Sequence, residues 1–172
     1  LEHHSNILPW REVAKNKECE IRTIGIKDGR IDLDSAIKLI DNRTEIVSIA
    51  HVSNVFGTVQ PIKEIADIAH SVGAIMIVDG AQAVAHLRFS PWEFGADAYV
   101  FSGHKIYAPN GIGVAFIKET LLQKLDHFLL GGDMVESGSA NNFKLRSLFC
   151  YNCFKLFIYC MNLFRFLSLL SM

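Results

Sequence analysis

The stretch Tyr99-Val-Phe-Ser-Gly-His-Lys-Ile-Tyr-Ala-Pro-Asn-Gly-Ile-Gly113 decides the fold when it is read with Ile75-Met-Ile-Val-Asp-Gly-Ala-Gln82. Each opens as an apolar run and then breaks into polar and glycine-rich residues. A run that is apolar throughout, instead of at every second position, suits a strand buried on both faces. The upstream run ends on Asp79. The downstream run ends on Ser102-Gly-His-Lys105, which places Lys105 26 residues after Asp79. One strand tip thus offers an acid for a pyridinium nitrogen, and another offers a lysine for an aldehyde. Those are the two demands of pyridoxal 5′-phosphate (PLP).

The flanking sequence extends the same pattern. Residues 7–17 are predicted helical, with Pro9 in a first turn, where its missing N–H costs nothing. Residues 20–26 read as a strand followed by a turn at Lys27-Asp-Gly29. Residues 32–40 open on capping residues and space their apolar positions for a helix. Residues 45–50 form a short apolar strand that runs into His51-Val-Ser-Asn-Val-Phe-Gly-Thr58. Pro61 opens another helix, with Ile62, Ile65, Ala66, Ile68 and Ala69 on one side and Gly73 as its stop. Residues 74–78, 98–101 and 112–117 are further strands, the last preceded by a tight turn at Gly111-Ile-Gly113, and 118–125 reads as a helix. Alternating apolar strands and helices predict an α/β fold, with a mostly parallel sheet covered on both faces. Ligands in such sheets bind beyond the carboxyl ends of strands. His51, Asp79 and Ser102 all fall at or just past those ends.

Composition narrows the class. With 17 basic and 18 acidic side chains in 172 residues the net charge is −1, and no basic run or aromatic-basic stripe points to nucleic acid. The N-terminus carries no secretory signature, and the absence of an initiator Met reads as a chain cut at its start. Of four cysteines, only Cys19 precedes residue 150, which suits a reducing compartment and offers no disulfide framework for the body. Cys150-x-x-Cys153 mimics a redox or zinc half-site without a partner motif. His3 and His4 are adjacent, so they do not normally face one metal centre, and no metal site is expected. The character changes near residue 140. Residues 1–140 read as a partial cofactor-binding domain, and 141–172 as a Phe/Leu/Cys-rich tail of non-native or frameshifted coding. The tail's longest run between charges is nine residues, against the roughly 20 apolar residues of a spanning helix.

Each candidate has a bland counterpart. Lys105 becomes a nucleophile when desolvation or a cationic neighbour populates its neutral amine, and the apolar surroundings and His104 offer both; otherwise it is a solvated loop lysine. Asp79 serves a pyridinium nitrogen, or else caps the turn at Gly80. Gln82 supplies an amide for a phenolate oxygen. Ser102 and His104 suit a phosphate, or else local loop hydrogen bonds. The His3 imidazole fits a stack on an aromatic cofactor better than a metal.

Taken together, Glu2-His-His-Ser-Asn-Ile-Leu-Pro-Trp10, the His51–Thr58 loop, Val78-Asp-Gly-Ala-Gln-Ala83, Tyr99-Val-Phe-Ser-Gly-His-Lys-Ile-Tyr107, Gly111-Ile-Gly113 and Gly131-Gly-Asp-Met134 resemble the class V aminotransferase family. Within it they resemble the SufS-like (group II) cysteine desulfurases, over about residues 1–135. The resemblance implies the large domain of a PLP-dependent transferase of type I, a three-layer α/β/α fold, here truncated at both ends. It implies that Lys105 holds PLP and shuttles the Cα proton, that Asp79 pairs with the ring nitrogen, and that Gln82 contacts the ring oxygen. His3 would stack on the ring and take part in acid/base steps, Ser102 and His104 would bind the phosphate, and Asn54 would line the substrate side. The implied reaction converts L-cysteine to L-alanine and leaves a persulfide on an enzyme thiol, as sulfur for iron-sulfur cluster assembly. L-selenocysteine is an alternative substrate. A homodimer of the full-length protein, a sulfur-acceptor protein and a cytoplasmic location, or an organelle stroma or matrix, come with it. The nucleophilic cysteine and the substrate-carboxylate arginine belong to the part beyond the resemblance, so the expectation is an incomplete and inactive fragment. Another class V reaction (an aminotransferase, a selenocysteine lyase or a kynureninase-like enzyme) and a non-catalytic remnant are the competing readings.

Overall fold

The computed structural model describes residues 1–125 and two further strands, Val135–Ser139 and Asn142–Leu145. The chain enters through a 3-10 turn at His4–Asn6 and continues into helix α1, Leu8–Lys17, with Pro9 in the first turn as expected. Strands β1 (Ile26–Lys27) and β2 (Arg30–Ile31) form a small antiparallel hairpin. Its two-residue turn has positive φ at both positions, 51° at Asp28 and 74° at Gly29, the mirror-image turn that Asp-Gly favours. Helix α2 is Leu33–Leu39, capped by the Asp32 side chain on the Asp34 N–H.

One expectation fails here. Residues 20–26 do not form a full strand; only Ile26 and Lys27 pair. The segment before them finds its partners on α2 and the loop after it. The Gly25 N–H donates to Ser35 Oγ at 2.8 Å, and the Gly25 carbonyl accepts from the Asp32 N–H at 3.0 Å. Arg22 is held by Asp41, Thr44 and the Leu39 carbonyl. Backbone and side-chain polar groups satisfied this way have no need of a sheet.

The main sheet contains β3 (Ile46–Ala50), β4 (Ile75–Asp79), β5 (Ala98–Ser102) and β6 (Gly113–Ile117), in that order. The first three are parallel and β6 is antiparallel to β5. Helix α3, Ile62–Ser71, makes the crossover from β3 to β4, and the chain leaves it through Gly73 at φ 83°. The expected final helix is shorter than 118–125: α4 covers Glu119–Leu122.

Side-chain alternation along the strands builds two cores. Met76, Val78 and Tyr99 pack on one face with Ile62, Ile65, Ala66 and Ala69 of α3 and Ala36 of α2. Ile77 and Ala98 pack on the other with Leu121 of α4 and with Trp10 and Val13 of α1. Three layers result, and β4, one of the two interior strands, is apolar on both faces because both are covered. Each fully buried Ile or Val contributes about 1.5–3 kcal/mol by removal from water. The register aligns Ala50 with Asp79 and Asp79 with Val100, so the parallel strands end along one edge. Strands β7 (Val135–Ser139) and β8 (Asn142–Leu145) pair separately as an antiparallel hairpin across the expected boundary at residue 140. The rest of the 141–172 tail, the Gly131-Gly-Asp-Met134 motif and Cys150, Cys153 and Cys160 lie outside the described residues.

Candidate active site

Strand β4 delivers Asp79 to the carboxyl edge of the sheet. The Asp79 Oδ1 accepts from the Ala81 N–H at 2.9 Å, so the carboxylate does cap its own turn. Its Oδ2 receives no hydrogen bond from the described residues. Burial pushes the Asp79 carboxyl above the usual range, against the pull of the Ala81 N–H, His3 and Lys105. Burial disfavours the charged form, and nearby positive charge favours it. His3 and Lys105, from two separate segments, are therefore within electrostatic reach of Asp79.

The turn after Asp79 needs glycine. The Tyr99 ring, wholly buried, lies against Gly80, and a Cβ there would overlap it. The Gly80 N–H continues the ladder by donating to the Val100 carbonyl at 2.8 Å. The His51 N–H donates to the Asp79 carbonyl at 2.8 Å, which extends β3 past its end. The His51 side chain goes into the core, where Nδ1 meets the Tyr99 hydroxyl at 2.9 Å. Burial holds this imidazole below its ordinary pKa and pushes the Tyr99 hydroxyl up.

Strand β5 ends on Ser102, paired with Gly113, and the chain then turns through a 3-10 segment at Gly103–Ile106 that carries His104 and Lys105. Buried Gly103 sits against the Ile112 carbonyl, to which its N–H donates at 2.7 Å. Tyr107 closes the turn at φ 67°. Lys105 and His104 are exposed. The desolvation expected to activate Lys105 is therefore not supplied by the described residues, because the turn projects beyond the strand tips. The side chains of Asn54, Gln82, Ser102, His104 and Lys105 make no hydrogen bond among the described residues, so they are uncommitted polar groups near the strand ends. Asn54 is exposed on the turn after β3, with no ring contact or hydrogen bond tying it to the other candidates.

A network missed by the sequence reading supports His3. Glu2 Oε1 accepts from the Ala50 N–H at 2.9 Å, and Oε2 accepts from Asn6 Nδ2 at 2.6 Å. Asn6 Oδ1 accepts from Trp10 Nε1 at 3.0 Å and from Ser48 Oγ at 2.7 Å. Asn6 is 4 % exposed. The four-residue spacing of Glu2, Asn6 and Trp10 was the available signal, because residues four apart share a face once the chain coils. Among the described residues no three His, Cys, Asp or Glu side chains gather as a metal site, and no helix is long and apolar enough to cross a membrane.

A mostly parallel sheet between two helical layers, with Asp79 at its carboxyl edge and His3 and Lys105 near enough to act on its charge, defines an α/β domain of the open-sheet class, which takes ligands at that edge. The sequence profile described as Aminotransferase class-V matches residues 1–149, and the chain belongs to that family. It is 47 % identical over 137 residues to a probable cysteine desulfurase of Halalkalibacterium halodurans, covering 79 % of this chain and 34 % of the relative. Its fold is similar to the crystal structure of the cysteine desulfurase CsdA from Escherichia coli, with TM-score 0.79 and 36 % identity, covering 85 % of this chain and 37 % of that one. The apo cysteine desulfurase of Thermococcus onnurineus NA1 gives the same TM-score, identity and coverage. The chain thus spans about a third of the length of the relatives it matches.

Proposed function

We propose that this chain is the cofactor-binding part of a PLP-dependent cysteine desulfurase. Asp79 carries the reading. It is a half-buried carboxylate with one oxygen fixed by the Ala81 N–H, the other without a protein donor among the described residues, and His3 and Lys105 near enough to act on its charge. Such a group suits a protonated ring nitrogen. It holds that proton and is itself held ionised by it. Bound PLP supplies an electron sink for negative charge at the Cα of an amino acid.

The chain's own residues perform the rest. Lys105 would hold the cofactor through its amine and move the Cα proton. Ser102 and His104 would bind the phosphate, Gln82 would donate to the ring oxygen, His3 would stack on the ring, and Asn54 would line the substrate side. L-Cysteine is the substrate, with L-selenocysteine as an alternative. Its sulfur passes to a thiolate as a persulfide, leaving L-alanine, for delivery to an acceptor protein in iron-sulfur cluster assembly. The described part has one cysteine, Cys19, exposed past the end of α1 with its Sγ on the Lys17 carbonyl. We assign sulfur transfer to none of Cys19, Cys150, Cys153 and Cys160, and place the nucleophilic thiol in the part of the family that the resemblance to this chain does not reach. A homodimer and a cytoplasmic location complete the proposal.

The test is visible absorbance. The purified chain mixed with PLP is expected to develop a visible band that borohydride fixes to Lys105 and that Lys105→Ala lacks. A folded wild-type chain that stays colourless overturns the assignment.

A further inference from the structure

We propose that Glu2 and Asn6 form a positioning clamp that fixes the His3 imidazole at the cofactor site. This rests on the cofactor reading above and deepens it. Glu2 is half-buried and Asn6 buried, and each uses its polar atoms inward. One Glu2 oxygen takes the Ala50 N–H at the tip of β3, and the other takes the Asn6 amide. Asn6 is anchored in turn to Ser48 of β3 and to Trp10 of α1. His3 lies between the two clamp residues in sequence. Its carbonyl accepts the Asn6 N–H at 2.8 Å, and its Nδ1 accepts the Ser5 N–H at 3.2 Å and lies 2.9 Å from Ser5 Oγ. The exposed ring is thus tied at its backbone to a hydrogen-bonded core and at Nδ1 to its own turn.

The charge makes stability an unconvincing reason for this arrangement. Burial and the like charge of Asp79 act against the Glu2 carboxylate and leave its pKa raised, although the Ala50 N–H and the Asn6 amide favour the charged form. The desolvation of a carboxylate offsets much of what its hydrogen bonds contribute to stability. What the carboxylate provides is two acceptors aimed at two donors in different segments, which sets the distance between the His3 turn and the strand that borders Asp79. Glu2 touches no reacting atom in this scheme and acts only through His3.

The donor–acceptor pattern gives a sharp test. Glu2→Gln sets an amide donor against the Asn6 donor or the Ala50 N–H. Asn6→Asp sets a carboxylate against a carboxylate. The double variant E2Q/N6D restores one donor facing one acceptor. We expect each single variant of the full chain to weaken PLP affinity about tenfold or more. At saturating PLP each should also lower the visible circular dichroism per bound cofactor. The double variant should recover both, and Ser48→Ala, which removes one anchor and leaves the chain's charge alone, should fall between. A purely structural role would lower melting temperature and leave the dichroism per bound cofactor unchanged, and that result overturns the clamp. So does failure of the double variant to recover the signal. If wild type shows no Lys105-dependent band, the cofactor reading itself fails. If the band forms and E2Q leaves it unaltered, only the clamp falls.

Discussion

The Tyr99 hydroxyl and His51 Nδ1 lie 2.9 Å apart in the core, where the Tyr99 ring also braces the Gly80 turn beside Asp79. The edges of Phe89 and Phe94 close on the imidazole, with ring centroids 5.0 and 4.9 Å away. Tyr99→Phe keeps the ring and removes the only side chain that hydrogen-bonds His51 among the described residues. A buried polar atom left without a partner costs about 1–3 kcal/mol. Urea denaturation should show a loss of that size with the slope unchanged. Replacing both partners, as in Tyr99→Phe with His51→Leu, should cost less than the sum of the single variants. Full additivity would mean that the pair is not coupled.

The same burial predicts a pH slope. The His51 pKa is lowered from 6.5 by burial, so the folded state keeps the ring neutral while the unfolded chain takes a proton. The unfolded state then binds more protons as pH falls below 6.5, and stability declines with it. The contribution is fully present above that pH. Chemical denaturation between neutral and mildly acid pH should show the decline in wild type and a shallower one in the double variant.

Much of the fold was legible because its signals are local. Apolar runs marked β3 to β6, Asp32 marked a cap, and Asp28-Gly29 marked a turn, though not the hairpin that it closes. The strand expected at 20–26 failed because strand formation needs a neighbour, and Ser35 and Asp41 satisfied that segment first. At the site, the positions of Asp79 at a strand end and Lys105 just past another were legible. The Glu2–Asn6–Ser48 link was not, because it joins residues 42 positions apart that only the folded sheet brings together. The inward turn of His51 was equally hidden. Its place at a strand end suggested a site residue, while its partner Tyr99 lies 48 positions away.

Asp79→Asn should separate stability from binding. Burial raises the Asp79 pKa in the fold, so its favourable contribution is full below the ordinary value of 3.8 and is lost as pH rises through the folded value. At neutral pH the buried charge opposes folding. Asn keeps an oxygen for the Ala81 N–H and carries no charge. The cofactor-free variant should melt above wild type at pH 7, and the gap should close in acid. Its PLP affinity should fall about tenfold to a hundredfold, the worth of a hydrogen bond to a charged group. A variant that melts lower at neutral pH and binds PLP as wild type does would contradict both parts.

Asp97 anchors the opposite edge of the sheet, about 17 Å from the strand tips if a five-residue strand rises 3.3 Å per residue. Its Oδ1 meets Lys118 Nζ at 2.8 Å, and its Oδ2 meets His70 Nε2 and the Met76 N–H, both at 2.8 Å. It thereby joins the end of α3, the start of β4 and the end of β6. Burial pushes its pKa up, but Lys118, the Met76 N–H and His70 together hold it below the usual carboxylate value. Asp97→Asn should cost about 1–2 kcal/mol at neutral pH, because Lys118 and His70 are each about a third exposed and partly screened. A depressed carboxylate pKa contributes stability above the unfolded value of 3.8 and loses it as pH falls through the folded one. The gap between wild type and variant should therefore be full near pH 7 and shrink in acid below that value, and high salt should narrow it. The variant's visible band with PLP should match wild type, since no site residue touches this cluster. A gap that stays constant through the acid range would show that the carboxylate's charge contributes nothing, and that shape alone holds the three elements together.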